Sequence, residues 1–242
     1  MTAFRNAVFL AAIAGLFAGI VMTGLQAFFT VPLILQAETF EHAGHDHGDA
    51  ATEGGAAAPH AHDEEAWGPE DGAERTFYTG LANIVTGIGF GLLLVAASEV
   101  AGGISGWRAG LVWGFAGFGV FTLAPGLGLP PELPAMPAAD LFARQVWWVF
   151  TVAATAAGLA LIALRREAWL AVLGVALIVA PHVIGAPQPD SHASPVPADL
   201  HHSFVVAVTV TNLIFWLVLG AVAGMLRQRF AEGLGAPRHG LA

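Results

Sequence analysis

Six apolar runs, each about long enough to cross a lipid bilayer, constrain this chain more than any other feature. They cover residues 6–35, 77–101, 107–129, 145–164, 168–186 and 203–226. A transmembrane helix needs roughly 17 to 25 mostly apolar residues, and a helix satisfies all its backbone polar groups in lipid. The pattern predicts an all-α fold, a polytopic transmembrane helical bundle of six spans. The third run is rich in glycine and ends among prolines, so five spans are the alternative.

The composition narrows the class of protein. Charged residues make up 11% of the chain, whereas roughly a quarter is usual in soluble domains. There is no cysteine, and all basic residues are arginine, which excludes thiolate metal sites and the lysine of a Walker A nucleotide loop. The net charge of −9 argues against nucleic acid. Zinc-protease and serine-hydrolase signatures are also missing, so we predict no enzyme, no catalytic residue and no cofactor-binding residue.

Charge asymmetry between the loops predicts the orientation of the chain. Six spans with cytoplasmic termini place seven of the nine arginines inside and only Arg75 and Arg144 outside, as the positive-inside rule requires. Arg5 and the first apolar run imitate a secretory signal, but the run is too long, and we expect it to be retained. We therefore predict a multi-pass protein of the bacterial inner membrane. Its first span lies in 1–35 and is followed by an extracytoplasmic loop in 36–76. Five spans follow in 77–226, with outer loops at 130–144 and 187–202, and a cytoplasmic tail ends the order at 227–242.

The loop at 36–76 combines imidazoles with carboxylates. Its histidines are His42, His45, His47, His60 and His62, and they lie among eleven acidic residues that include Glu38. Nitrogen and oxygen ligands without thiolate suit borderline divalent ions such as Co²⁺, Ni²⁺ and Zn²⁺. We predict that this loop captures such an ion. The alternative is a low-complexity polar linker, since glycine and alanine fill the gaps between the ligand residues.

A second group of candidate ligands lies near the outer ends of the spans. It consists of Glu132, Asp140, His182, and His201 or His202, which together with Glu38 would line an outer vestibule. Pro181 interrupts the helical ladder beside His182, and polar groups at membrane depth often mark a pathway. An interfacial histidine bonded to a neighbouring helix is the alternative. Other polar residues of the spans either coordinate an ion or bond between helices: Gln26, Asn83, Thr86, Gln145 and Asn212.

Two weaker patterns concern helix packing. The first, third and fifth spans each end at a proline, and each outer loop closes with a proline and an aspartate. This pattern suggests three repeated helical hairpins. The alternative is that proline and aspartate are simply common at the ends of helices. Small residues four apart occur at Gly15/Gly19, Gly110/Gly114 and Gly220/Gly224. Such pairs let transmembrane helices approach closely.

Several strings of the chain resemble the CbtA-type probable cobalt transporter subunits. They are VPLILQAE at 31–38, DGAERTFYT at 71–79, LAPGLGLPPELP at 123–134, AADL at 138–141, RQVWW at 144–148 and PHVIGAP at 181–187. The resemblance implies uptake of cobalt for cobalamin synthesis, beside a small single-span partner subunit with histidines of its own. The other functions that the sequence allows are a membrane-anchored metal-binding or sensing protein and, more remotely, a membrane metalloenzyme.

Overall fold

A computed structural model describes residues 2–46 and 68–235, and the side chains of 4–41 and 68–230. All regular elements in these ranges are helical, which confirms the predicted fold class. They are α1 (Thr2–Phe29), α2 (Val31–Asp46), α3 (Ala73–Val100), α4 (Trp107–Phe118), a π turn (Gly119–Leu123), α5 (Ala124–Gly128), α6 (Leu141–Leu164), α7 (Ala168–Ile184) and α8 (Ala198–Gly235).

Five stretches are long and apolar enough to cross a membrane, and the chain is a multi-pass membrane protein. They are Phe4–Phe29, Ala73–Val100, Trp107–Gly128, Leu141–Leu164 and Ala198–Phe230. The glycine-rich third run is thus one of the five. The apolar helix α7 has 17 residues, at the lower limit of about 17 for a span, so the doubtful run among the six is the fifth.

The first span and the predicted loop are divided differently from the sequence-based expectation. Helix α1 ends at Phe29, Thr30 forms a turn, and α2 continues to Asp46, so residues 36–46 of the predicted loop are helical. Pro32 has no backbone N–H, and the N–H groups of Leu33 and Ile34 both bond to the Thr30 carbonyl. Pro32 therefore lies in the first turn of a new helix, α2, and does not mark the end of the helical structure.

Two further boundaries also extend beyond their predicted positions. Helix α6 begins at Leu141 because the Asp140 carboxylate accepts a hydrogen bond from the Ala143 N–H and caps the helix. Helix α8 begins at Ala198 and runs to Gly235. His201 and His202 therefore lie on a helix, and the predicted tail at 227–242 begins as a helix.

The helices form a four-helix body and an attached pair. Helices α1, α3, α4 and α8 make the body, through extensive α1–α3, α4–α8 and α1–α8 contacts, while α6 packs on α7 and reaches the body through the π turn and α5. Of the three predicted hairpins, only the first packs as a consecutive pair. The third and fourth apolar runs touch through the π turn and α5, but α4 packs mainly against α8 and α6 packs mainly against α7.

Small residues explain this pairing. Backbones meet at Gly15 and Gly87 in the α1–α3 contact, at Gly110 and Gly220 in the α4–α8 contact, and at Gly158 and Gly174 in the α6–α7 contact. Each of these contacts leaves no room for a Cβ atom. The predicted small-residue pairs are thus confirmed as helix contacts.

Aromatic rings pack in the interior of the four-helix body. Phe90 of α3 lies 4.8 Å from the ring of Trp216 in α8, and Phe121 of the π turn stacks on Trp216 at 5.5 Å, centroid to centroid. A second apolar cluster covers one end of the body, where α2 packs on the loops before α6 and α8. We call this the α2 end of the bundle. Its buried residues are Ala37, Leu133, Val196, Leu200 and Phe204.

Candidate functional site

Of the residues expected to bind metal, six have side chains in the described part of the chain. The backbones of His42 and His45 belong to α2, but their side chains lie outside the described part of the chain, as do His47, His60 and His62 altogether. The remaining candidates, Glu38, Glu132, Asp140, His182, His201 and His202, all have described side chains.

An arginine holds each of the two candidate glutamates. Arg75 Nη2 lies 2.6 Å from Glu38 Oε1, and Arg75 Nη1 lies 2.7 Å from Asp71 Oδ1. The second pair joins Arg144 Nη2 to Glu132 Oε2 at 3.1 Å. Both arginines that the charge pattern assigned to the outer side thus neutralise candidate metal ligands.

The third carboxylate has a local structural role. Asp140 Oδ1 accepts the Ala143 N–H at 2.8 Å and thereby caps α6. Side-chain oxygens at this position satisfy one of the free N–H groups of the first helical turn. Asp140 itself is exposed.

The histidines are distributed over two helices. His182 lies in the last turn of α7, with its ring centroid 6.0 Å from that of Trp147 in an edge-on arrangement. The Trp147 indole N–H donates at 3.3 Å to the carbonyl of Pro181, which also accepts the Gly185 N–H. His182 is thus half buried and lies against Trp147 of α6.

His201 ties the first turns of α8 to the proline-rich loop. Its Nε2 lies 3.1 Å from the Pro131 carbonyl oxygen. A carbonyl can only accept, so this contact requires the hydrogen on Nε2. His202 is exposed, as expected for neighbouring residues that point in different directions on a helix.

These side chains are not assembled into a ligand set. Within the described residues, no three His, Asp or Glu side chains lie close enough together to hold one ion. Metal binding by these residues therefore stays a prediction.

From the sequence, the polar residues of the spans were expected either to coordinate an ion or to bond between helices. Asn83 of α3 donates from Nδ2 to Thr23 Oγ1 at 3.1 Å and to Gln26 Oε1 at 2.7 Å, both on α1. Asn212, by contrast, donates to the Val208 carbonyl of its own helix. The first asparagine thus links two helices, and the second does not.

The arginine partners of the carboxylates were not predicted from the sequence. One signal was available, because Asp71 and Arg75 are four residues apart, the spacing of helical ion pairs. The Arg75–Glu38 and Arg144–Glu132 pairs have no such local signal. At the opposite end of the body, Arg227 of α8 likewise pairs with Glu99 of α3.

The comparisons with known proteins give one match. A family model described as "Probable cobalt transporter subunit (CbtA)" matches residues 4–228. No curated protein and no solved structure matches the chain.

Proposed function

The chain belongs to the CbtA family of probable cobalt transporter subunits, and from this premise we propose that it carries a divalent transition-metal ion, Co²⁺, across the cytoplasmic membrane into the cell. The family match is the observation that supports this most, because it extends over nearly the whole membrane-embedded chain. The five membrane-length helices are the architecture that such a role requires.

Capture begins on the His/acidic segment at 36–76, of which residues 36–46 belong to α2. Imidazole and carboxylate ligands without thiolate bind Co²⁺, Ni²⁺ and Zn²⁺, and an acidic loop raises the local concentration of cations. Affinity follows the Irving–Williams order in any such site, so the choice of cobalt over nickel or zinc rests on the family. Cobalamin synthesis is the use that the family resemblance implies.

The arginine distribution supports an orientation in which α7 crosses as a sixth span, both termini lie in the cytoplasm and the His/acidic segment lies outside. The α2 end of the bundle is then the outer end. Glu38, Glu132, Asp140, His182, and His201 or His202 would face the incoming ion there. Because the family is one of subunits, we expect a partner chain, and the resemblance implies a small single-span one that carries histidines.

One observation favours a second function, a membrane-anchored metal-binding or sensing protein that moves no ion. Among the described side chains, no three candidate ligands converge on one point. A protein that binds metal only on the His/acidic segment would be consistent with that observation and would transport no ion.

Accumulation of radiolabelled Co²⁺ by cells that express the full chain separates the two functions. Cells are loaded at limiting metal and then washed with EDTA, which strips surface-bound ions but does not reach the cytoplasm. Transport predicts that most of the gain over vector-only cells survives the wash. A gain that EDTA removes completely would establish the binding protein and contradict transport.

A further inference from the structure

A cavity of about 630 Å³ opens at the end of the four-helix body that lies opposite α2. It is formed by the first turns of α1, the last turns of α3 and the end of α8, and its volume lies within the roughly 300–1,000 Å³ that is usual for ligand sites. All three helices reach the end of their membrane-length stretches here, at Phe4, Val100 and Phe230. The cavity therefore lies at one boundary of the bilayer.

The lining changes from charged to apolar with depth. Glu99 and Arg227 lie near the ends of the membrane-length stretches of α3 and α8 and form the rim. Leu92 lies about two turns deeper on α3. Leu10 and Val95 also line the cavity and are buried members of the hydrophobic core, so the core itself forms the floor. A phospholipid has the same order in a leaflet, with the charged headgroup at the surface and the acyl chains below it.

Arginines make the rim positive. Arg227 donates to both carboxylate oxygens of Glu99, and a Cβ on Gly103 would collide with its guanidinium, so neighbouring groups hold this side chain in place. Arginine has five N–H donors, of which Glu99 engages two. Arg5 is exposed and lies three residues before the lining residue Val8, hence on the same face of α1. Together, the two arginines and the glutamate carry one net positive charge.

The apolar wall of the cavity is open to the surrounding bilayer. Val8 of α1 is 37% exposed and Leu92 of α3 is 40% exposed, and both lie in membrane-length stretches. Acyl chains are the groups that meet such a surface in a membrane. Basic pockets between transmembrane helices at the cytoplasmic side bind anionic headgroups, and each arginine near the surface contributes about 1 kcal/mol to the attraction. The wall and the rim thus favour a ligand that is both apolar and anionic.

We propose that this cavity binds one anionic phospholipid of the adjacent leaflet. The phosphate lies at Arg5 and Arg227, and an acyl chain lies over Leu10 and Val95. In the orientation proposed above, this is the inner leaflet. The lipid contacts α1, α3 and α8 together and thereby stabilises the inner end of the four-helix body. The site is independent of metal transport, and its test involves no metal.

Native mass spectrometry of the purified full chain counts the lipids that stay bound. The delipidated chain is titrated with phosphatidylglycerol, which is anionic, or with phosphatidylcholine that has the same acyl chains and no net charge. We expect one phosphatidylglycerol per chain to bind at least about fivefold more tightly than phosphatidylcholine, the effect of about one arginine contact. Equal affinity for the two lipids would contradict the anionic site.

Two neighbouring alanines of α3 test the position of the lipid. Ala96 lines the cavity and Ala97 does not, although both are exposed. Ala96→Trp fills the cavity, and we expect it to lose the tightly bound phosphatidylglycerol, whereas Ala97→Trp should keep it. The same spectra show whether a second protein chain is bound. Equal lipid retention by the two variants would overturn the site, as would the loss of a second protein chain instead of lipid from Ala96→Trp.

A pair of exposed arginines tests the rim. Arg229 lies at the same end of the body as Arg5, but it shares its helix face with Met225 and Leu226, which do not line the cavity. We expect Arg5→Gln to weaken phosphatidylglycerol binding about fivefold and Arg229→Gln to leave it near the parent value. Arg227→Gln should weaken it further, because it also leaves an unpaired glutamate at the rim. Equal losses for Arg5→Gln and Arg229→Gln, in chains with parent-like SDS unfolding, would indicate general surface charge and contradict the site.

Discussion

Gly110 of α4 and Gly220 of α8 meet backbone to backbone, and a Cβ on either residue would collide with the carbonyl oxygen of the other. This contact joins the third apolar run to the last one and thereby sets the order of helices in the four-helix body.

Replacement of Gly220 by alanine tests this contact. The added methyl forces the two backbones apart, and we expect the free energy of unfolding in mixed micelles to fall by about 1–3 kcal/mol, as for overpacked cores. Gly89 of α3 is the matched control, because a Cβ there meets open space, and Gly89→Ala should be neutral or stabilising by up to about 1 kcal/mol. Equal effects of the two changes on SDS-induced unfolding would contradict the proposed contact.

Asp140 allows capping to be separated from metal binding. Asp140→Ala removes the acceptor of the Ala143 N–H, and we expect a loss of about 1 kcal/mol in unfolding free energy. Asp140→Asn keeps an acceptor but removes the charge, so stability should stay close to that of the parent. If Asp140→Asn nevertheless lowers Co²⁺ accumulation as strongly as Asp140→Ala does, the residue acts on the ion and not only on the helix.

The sequence predicted the elements of this fold better than their arrangement. Apolar length identified the helices because lipid imposes that length on every span, and the glycine spacing identified three close-contact surfaces. Neither signal specifies which surfaces meet, so the pairing of α4 with α8 and of α6 with α7 was not predicted. The continuation of α2 to Asp46 was missed because its polar residues read as a loop.

The candidate site was less predictable than the fold. Residue type identified Glu38 and Glu132 as potential ligands. It did not predict that Arg75 and Arg144 bind them, because the members of each pair are not neighbours in the sequence. The link between Asn83 and Gln26 required knowing that α1 packs on α3. Residue types indicate which side chains can bind a metal ion, whereas the convergence of several ligands on one ion depends on tertiary contacts.

Reporter fusions test the predicted orientation. A reporter that is active only outside the cytoplasm should be active when fused after Gly54, and a cytoplasmic reporter should be active when fused after Arg166, because seven of nine arginines then lie inside. Activity of the cytoplasmic reporter after Gly54 would place the His/acidic segment inside the cell. That result would rule out capture of external metal by this segment.

The His/acidic segment should act as a concentrator of metal. With His42, His45, His47, His60 and His62 all changed to alanine, we expect folding to be retained and uptake to fall at limiting Co²⁺, with the deficit shrinking as metal is raised. Since neutral imidazole is the ligand form and its reference pKa is about 6.5, Co²⁺ binding by the parent chain should weaken as the pH falls through about 6. Histidine ligation would be excluded by binding that is equally tight at pH 5.

Transport itself is tested most directly by Co²⁺ flux in proteoliposomes that contain the purified full chain, alone and with its partner subunit, and a Co²⁺-quenched dye in the lumen. We predict quenching of the internal dye when Co²⁺ is added outside, at a rate that rises with the amount of protein. Loss of Co²⁺ from the outside solution without any change in the internal dye, in both preparations, would show that the chain only binds metal and would contradict the account.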